Sequence, residues 1–169
     1  FKNLVLLLAS LFFYAWGEGF FVLIMLASIL LNFIFGLLIE STRTKNAGKW
    51  FVGVAVTANL ILLISYKYSN FIVENLSSAL ALADLPEISI APVHLPIGIS
   101  FFTFQAMSYI IDIYRGSNSA QRNPINLALY ISLFPQLVAG PIVRYHDIAK
   151  QISSRVVTVE DFSIGSRRF

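Results

Sequence analysis

A chain of 169 residues that is 57% hydrophobic and only 12% charged, with a mean hydropathy of +0.74, departs far from the average soluble domain, so water is not its main solvent. The formal charge of +3 does not point to nucleic acid, because the basic residues stand singly or in short clusters between apolar blocks. With no cysteine in the chain, disulfides, thiolate metal sites and a Cys nucleophile are excluded.

Residues 4–16 are apolar and close on Phe12, Phe13, Tyr14 and Trp16, the aromatic mix found where a helix meets lipid headgroups. They lead into another apolar block rather than a small-residue cleavage site, so they do not read as a secretory signal. Gly17-Glu18-Gly19 reads as a tight turn. Residues 20–39 contain no Asp, Glu, Lys or Arg. About 20 such residues, each rising roughly 1.5 Å, cross a hydrocarbon core near 30 Å thick, which predicts a spanning helix. Ser28, Asn32 and Gly36 recur at intervals of four on one stripe, and that face is expected to touch another helix.

Residues 40–49 carry Arg43, Lys45 and Lys49. A third apolar helix follows over 50–66, flanked by Lys49 and Lys67 as snorkelling anchors, with Gly53 and Thr57 as a second small pair. Residues 71–83 set Phe71, Leu76, Leu80 and Ala83 against Glu74, Ser77 and Ser78, which predicts a short amphipathic helix lying at the interface. Pro86, Pro92 and Pro96 make 85–95 a restrained loop that ends at the first turn of the next span, 96–114. Asn123-Pro124 supplies an N-cap and a tolerated first-turn proline for 125–134. Pro135 and Gly140-Pro141 then predict a broken segment over 125–143.

Loop charges set the orientation. Residues 40–49 hold three basic side chains and 115–124 two, whereas 17–19 hold none and 67–95 one, so the first two loops are expected to be cytoplasmic. The tail 144–169 adds Arg144, Lys150, Arg155, Arg167 and Arg168, which would face the wrong side if 125–143 simply crossed. A re-entrant segment that returns to its own side resolves the conflict, provided that protein or a wet cavity shields its irregular backbone. Thr158-Val-Glu-Asp161 announces one more helix, with a cap and an acidic first turn. The start at Phe1 without Met and the stop just inside that helix read as an excerpt of a longer protein. The expected architecture is therefore all-α: a polytopic transmembrane bundle forming one incomplete integral-membrane domain over 1–169.

Gln105, Ser108 and Asp112 fall at i, i+3 and i+7, placing an amide, a hydroxyl and a carboxylate on one helix face, with Ser100 and Thr103 on the other. Both faces cannot meet lipid, so the helix either packs within protein or lines a substrate passage. Asp112 and Arg115, three apart at a helix end, read as an interfacial ion pair. Arg144 follows directly on the Gly140-Pro141 break and would suit an anionic phosphate or carboxylate as well as a positive-inside anchor. His146 adjoins Asp147, but neighbours on a helix diverge by about 100° and form no oriented dyad by default. His94 and His146 lack the spacing of metal ligands, and no metal is expected.

Four stretches together carry a family resemblance: Leu11-Phe-Phe-Tyr-Ala-Trp-Gly17; Leu95-Pro-Ile-Gly-Ile-Ser-Phe-Phe-Thr-Phe-Gln105 running on to Asp112-Ile-Tyr-Arg-Gly116; Leu133-Phe-Pro-Gln-Leu-Val-Ala-Gly-Pro-Ile-Val-Arg-Tyr145; and Asp161-Phe-Ser-Ile-Gly-Ser-Arg-Arg-Phe169. In this order they resemble the alginate O-acetyltransferase branch of the membrane-bound O-acyltransferase family, and they span nearly the whole chain. The resemblance implies a multi-pass enzyme of the bacterial inner membrane. It would take an acyl group, acetyl first of all, from a cytoplasmic donor such as acetyl-CoA, with no resident cofactor. The acceptor would be an exported polysaccharide such as alginate, reached with extracytoplasmic acetylation-complex partner proteins. The family's key histidine lies in a later stretch that nothing here matches, so no catalytic residue is expected in this chain and the chain alone is expected to be inactive. The candidate substrate-lining residues are Gln105, Ser108, Asp112, Pro135, Gln136, Gly140, Pro141 and Arg144. Broken helices also mark transporters and flippases, and a third reading is a membrane scaffold subunit; internal inverted repeats, the sign of a transporter, are not seen.

Overall fold

The computed structural model describes residues 2–82, 85, 86, 91–140, 143–154 and 158–168. They form helices and connecting loops, with no strand among the described residues. The helices are α1 (Lys2–Glu18), α2 (Phe21–Thr42), α3 (Asn46–Lys67), α4 (Ser69–Leu82), α5 (Ile99–Arg115), α6 (Pro124–Ser132), α7 (Phe134–Ala139), α8 (Tyr145–Ser153) and α9 (Val159–Arg168).

Of these, α2 and α3 are long and apolar enough to cross a membrane, at 22 residues each. At 17 residues each, α1 and α5 are one turn shorter, or about 25 Å of rise. The expected turn at 17–19 is tighter than its sequence implies, because Gly17 and Glu18 complete α1 and Gly19 alone adopts a positive φ. Glu40, assigned above to a loop, lies in the last turns of α2.

Side-chain contacts fix how the helices run. At one end of the bundle Glu18, closing α1, meets His94, just ahead of α5. At the other end Glu40, near the close of α2, accepts hydrogen bonds from the Ala120 amide (3.0 Å) and the Arg122 guanidinium (2.6 Å), both beyond α5. So α2 and α5 run side by side in the same direction, and α3 packs against both. The Phe21–Tyr66 and Phe35–Phe51 ring pairs show that α3 runs opposite to α2. The two basic loops assigned above to one side of a membrane do meet at a single end, the Glu40 end.

The stripe Ser28, Asn32, Gly36 is buried, as its spacing predicts. Gly36 is there because a Cβ at that position would lie 2.6 Å from the Tyr109 hydroxyl of α5, so any larger residue would push the helices apart. On the opposite face of α2, Leu23, Leu26, Leu30, Ile34 and Leu38 are exposed. The face that α2 buries mixes Ser28, Asn32 and Gly36 with Met25, Ile29 and Ile39, while its exposed face is apolar, unlike the polar outer face of a helix in a water-soluble bundle. The second small pair behaves otherwise: Gly53 and Thr57 are exposed, lining an open groove with Trp50, Val54, Ala58 and Ile61 rather than a helix contact. Helix α4 packs against α3, is tied through Asn70 to Val93 in the loop before α5, and buries no residue completely; Ala83, its expected end, lies outside the described residues.

Among the described residues of 125–143, the stretch expected to be broken, two short helices, α6 and α7, meet at Leu133. Asn123 caps α6 by accepting from the Ile125 amide. Helical geometry then lapses at Leu133 (φ −58, ψ 108), and Pro135 sits in the first turn of α7, where its missing N–H costs nothing. Its ring still bars a continuous helix, because it would strike the carbonyl four residues back. Asn3 at the start of α1 donates to Asn126 Oδ1 at 2.9 Å and to the Ile152 carbonyl at 2.8 Å. Between those two contacts Phe134 packs on Phe13, two turns and more further along α1. Residues 126 and 152 thus lie at the same end of α1, with the break at a deeper level between them.

Candidate functional site

Helix α5 is enclosed on most sides: Ile99, Phe102, Thr103, Gln105, Ala106, Met107, Tyr109, Ile110 and Ile113 are all buried. The exposed strip runs through Phe101 and Phe104, with Ser108 and Ile111 half-covered along the same line. Protein therefore surrounds both polar strips read from the sequence, although Ser108 stands at the open edge of its strip. Gln105 is buried with Oε1 unpartnered, Thr103 Oγ1 is likewise unmatched, and one Asp112 oxygen is buried without a hydrogen bond. The expected Asp112–Arg115 ion pair does not form: Arg115 is exposed, while the Asp112 main-chain carbonyl closes the helix by accepting from Gly116 and Ser117. Arg115 stays at the surface while one oxygen of the Asp112 carboxylate is buried.

The α6–α7 segment adds Ser132 Oγ and Gln136 Nε2, also buried and unpartnered. Pro135 itself is exposed. Gly140 folds back onto Gln136, where a Cβ would come within 2.7 Å of the Gln136 Cα. Gly98, at the start of α5, has φ +75 and faces Leu137 so closely that a Cβ would lie 2.8 Å from its side chain. Only glycine meets both demands, and this contact ties α7 to the head of α5. Pro141 lies outside the described residues.

Three tyrosines knit the return of the chain to α5. The Tyr145 ring stands edge-on to Tyr109 (centroids 5.0 Å) and Tyr130 (5.2 Å). Tyr130 donates to the Val143 carbonyl at 2.9 Å. Gln121 donates through its amide N–H to the Tyr109 hydroxyl and through Nε2 to the Tyr145 hydroxyl, at 3.1 and 2.9 Å. Burial pushes the Tyr145 hydroxyl up from its ordinary value, and the bond from Gln121 pulls the other way. Arg144, one residue earlier, is exposed at the N-cap of α8.

His146 Nδ1 does meet Asp147 Oδ1, at 2.8 Å, contrary to the divergence expected of neighbours; both side chains are more than half exposed, so the pair is a surface contact. The other histidine, His94, is also exposed but meets a buried acid. Glu18, 4% exposed at its side chain, lies 3.0 Å from His94 Nε2. Nothing local in the sequence announces this pair, since 76 residues separate its members. The His94 ring also lies 5.0 Å from that of Phe21. Among the described residues no cluster of His, Asp or Glu could hold a metal ion.

The polar candidates thus fall into a series with a buried, unpartnered atom each along α5 and α6–α7 (Gln105, Asp112, Gln136), a half-covered Ser108, and an exposed pair at the margins (Pro135, Arg144). Unmatched buried polar atoms are costly in a packed interior and call for a water, a ligand or a further segment of protein.

Against known proteins, the chain is 40% identical to the probable alginate O-acetylase AlgI of Pseudomonas syringae pv. tomato, over 171 aligned residues covering 100% of this chain and 33% of that protein. It is 39% identical to the probable alginate O-acetylase AlgI of Pseudomonas aeruginosa, with the same coverage of both. A peptidoglycan O-acetyltransferase of Helicobacter pylori is 30% identical over 92% of this chain and 33% of its own length. The chain therefore spans about a third of the length of the curated relatives it matches. No protein-family model matches it, and no solved structure does.

Proposed function

We infer, from the premise that this chain belongs to the alginate O-acetylase branch of the membrane-bound O-acyltransferases, that it is the multi-pass part of an enzyme that acylates an exported polysaccharide. The acyl group is acetyl, the donor a cytoplasmic thioester such as acetyl-CoA, and the acceptor a glycan such as alginate. The observation that carries this reading is the similarity over the whole chain to proteins named as O-acetylases of one polysaccharide, joined by a relative named for another.

The membrane setting is supported by the apolar exposed face of α2 and by exposed apolar side chains such as Leu8, Phe12, Trp16 and Trp50 on its neighbours. In this reading α1, α2, α3 and α5 span the bacterial inner membrane, and α4 rests at its surface. The segment α6–α7 is re-entrant, a reading supported by the joint hold of Asn3 on residues 126 and 152. The Glu40 end is cytoplasmic, because the basic loops and the basic tail belong to it. Gln105, Ser108, Asp112, Pro135, Gln136, Gly140, Pro141 and Arg144 border a polar passage whose other walls come from the rest of the protein. Extracytoplasmic acetylation proteins carry the product onward.

Deleting the full gene and analysing ester-linked acyl groups on the exported polysaccharide tests the function. Loss of acetyl esters, restored by the gene in trans, is expected; unchanged acetylation removes the reading.

A further inference from the structure

One face of α3 is left uncovered by the described residues. Trp50, Gly53, Val54, Thr57, Ala58 and Ile61 fall at i, i+3, i+4, i+7, i+8 and i+11 and line an open groove of about 430 Å³. The buried side of the helix is another one, through Ala55, Asn59 and Leu63, and α3 packs on α2 and α5. We propose that the groove seats one acyl chain of an anionic phospholipid from the leaflet at the Glu40 end, with the lipid phosphate held by Lys45 and Lys49. This goes beyond the function proposed above and takes from it only the membrane setting.

The dimensions fit a chain from a single leaflet. From Trp50 to Ile61 the helix rises roughly 16 Å at 1.5 Å per residue, and half of a hydrocarbon core near 30 Å is about 15 Å. A Cβ at Gly53 would meet nothing within 4 Å, so no contact with another helix accounts for the glycine. Its effect is a gap in the stripe between Trp50 and Thr57. Trp50 is 76% exposed beside Lys49, the pairing of an indole and a snorkelling cation found at the headgroup layer.

Charge at the mouth of the groove has one sign. Lys45 at the N-cap of α3 and Lys49 one turn on are exposed and belong to none of the ion pairs among the described residues. No acidic residue occurs from 41 to 73. The first turn of α3 has no side-chain cap, so its free amides add to the positive potential. An anionic headgroup complements that potential, whereas a zwitterionic one brings a cation of its own.

A further helix of the protein is the rival occupant. The buried polar atoms without partners among the described residues belong to Tyr14, Thr103, Gln105, Asp112, Ser132 and Gln136, and none of them is on α2 or α3. They call for additional protein along α1, α5 and α6–α7. The α3 groove makes no such demand.

The test reads Trp50 fluorescence in the full-length protein, reconstituted in phosphatidylcholine vesicles. A rising fraction of the lipid is replaced by dibrominated phosphatidylglycerol or by dibrominated phosphatidylcholine with the same chains, and a Trp50→Phe protein subtracts the other tryptophans. Quenching of the Trp50 component is expected to favour the anionic lipid on the order of 10-fold in relative affinity, two lysines near the headgroups each contributing roughly 5-fold. Lys45→Gln with Lys49→Gln is expected to bring the ratio close to one. Gly53→Leu, which fills the groove and keeps both lysines, is expected to lower it several-fold. Equal affinity for the two lipids in the wild-type protein, a preference that survives loss of both lysines, or one that Gly53→Leu leaves unchanged overturns the proposal. Absence of Trp50 quenching by either lipid also overturns it, by showing a protein segment over the groove. None of these readouts depends on acyl transfer, so the function proposed above stands or falls separately.

Discussion

Asn32 and Asn59 exchange two side-chain hydrogen bonds across the α2–α3 contact, each amide donating to the other's oxygen at 3.1 and 2.9 Å. Each also donates to its own helix, Asn32 to the Ser28 carbonyl and Asn59 to that of Ala55. Both residues are sealed off, 0% and 2% exposed, so the pair is closed and satisfied in an apolar setting.

Replacing either asparagine by leucine strands the partner amide, and is expected to destabilise the protein by about 1–3 kcal/mol. The double replacement is expected to cost less than the sum of the two. A double-mutant cycle of unfolding in mixed micelles measures the coupling, which for interhelical pairs in membranes averages roughly 0.6 and reaches about 1.7 kcal/mol.

Gly36→Val places methyl groups where the Tyr109 ring now lies. A loss of about 1–3 kcal/mol is expected from overpacking. Gly36→Val with Tyr109→Leu is expected to recover part of it, because the smaller side chain vacates the clash. Thermal unfolding of the three variants in one detergent checks the order.

The break before α7 is held open by Pro135, whose ring forbids a continuous helix. Pro135→Ala is expected to let α6 continue through Leu133, pulling Leu137 off Gly98 and lowering acyl transfer by the full-length protein. Activity at the wild-type level would make the break incidental to function.

Because this chain contains no cysteine, a single introduced thiol reports topology when the rest of the protein is also cysteine-free. Ser41→Cys and Ser154→Cys are expected to label from the cytoplasmic side, and Gly17→Cys from the other. Labelling of Ser154→Cys from outside only would end the re-entrant reading.

Thr158 and Asp161 form a reciprocal cap at the start of α9: the Asp161 amide donates to Thr158 Oγ1 at 3.1 Å, and Asp161 Oδ2 accepts from the Thr158 amide at 3.0 Å and hydroxyl at 2.6 Å. The Thr158 hydroxyl, then its amide, hold the Asp161 carboxyl below its ordinary value of 3.8. A carboxyl depressed in the folded state stabilises it above that ordinary value, and the contribution fades as pH falls through the lowered one. Protection of the amides over 159–165, taken relative to the intrinsic exchange rate at each pH, is therefore expected to fall on acidification below about pH 4. Asp161→Asn is expected to flatten that dependence.

Local and periodic signals were legible. The Thr158 and Asn123 caps act on neighbours one turn away, and the Ser28–Asn32–Gly36 stripe follows from helix geometry alone. Pairs formed by distant segments were not: Glu18 with His94, Glu40 with Arg122 and Asn32 with Asn59 depend on which helices come together, and no spacing encodes that. The same limit explains the exposed Gly53 and Thr57, since small residues permit close approach but do not choose a partner. At Asp112 the direction of each side chain from the helix end mattered more than the interval to Arg115. The series Gln105, Asp112, Gln136 was half legible: polar residues in apolar helices stood out, but the sequence did not show that their atoms would be left without partners.

The grip of Asn3 on residues 126 and 152 has a consequence for biosynthesis. Helix α1 cannot make its contact with Asn126 until a stretch 123 residues later has emerged from the ribosome, roughly 6–25 s at 5–20 residues per second. During that interval Asn3 and Ser10 lack their native hydrogen-bond partners Asn126 and Phe134. The insertion machinery or a lateral chaperone must shelter them, and slowing translation downstream of residue 115 would lengthen that exposure.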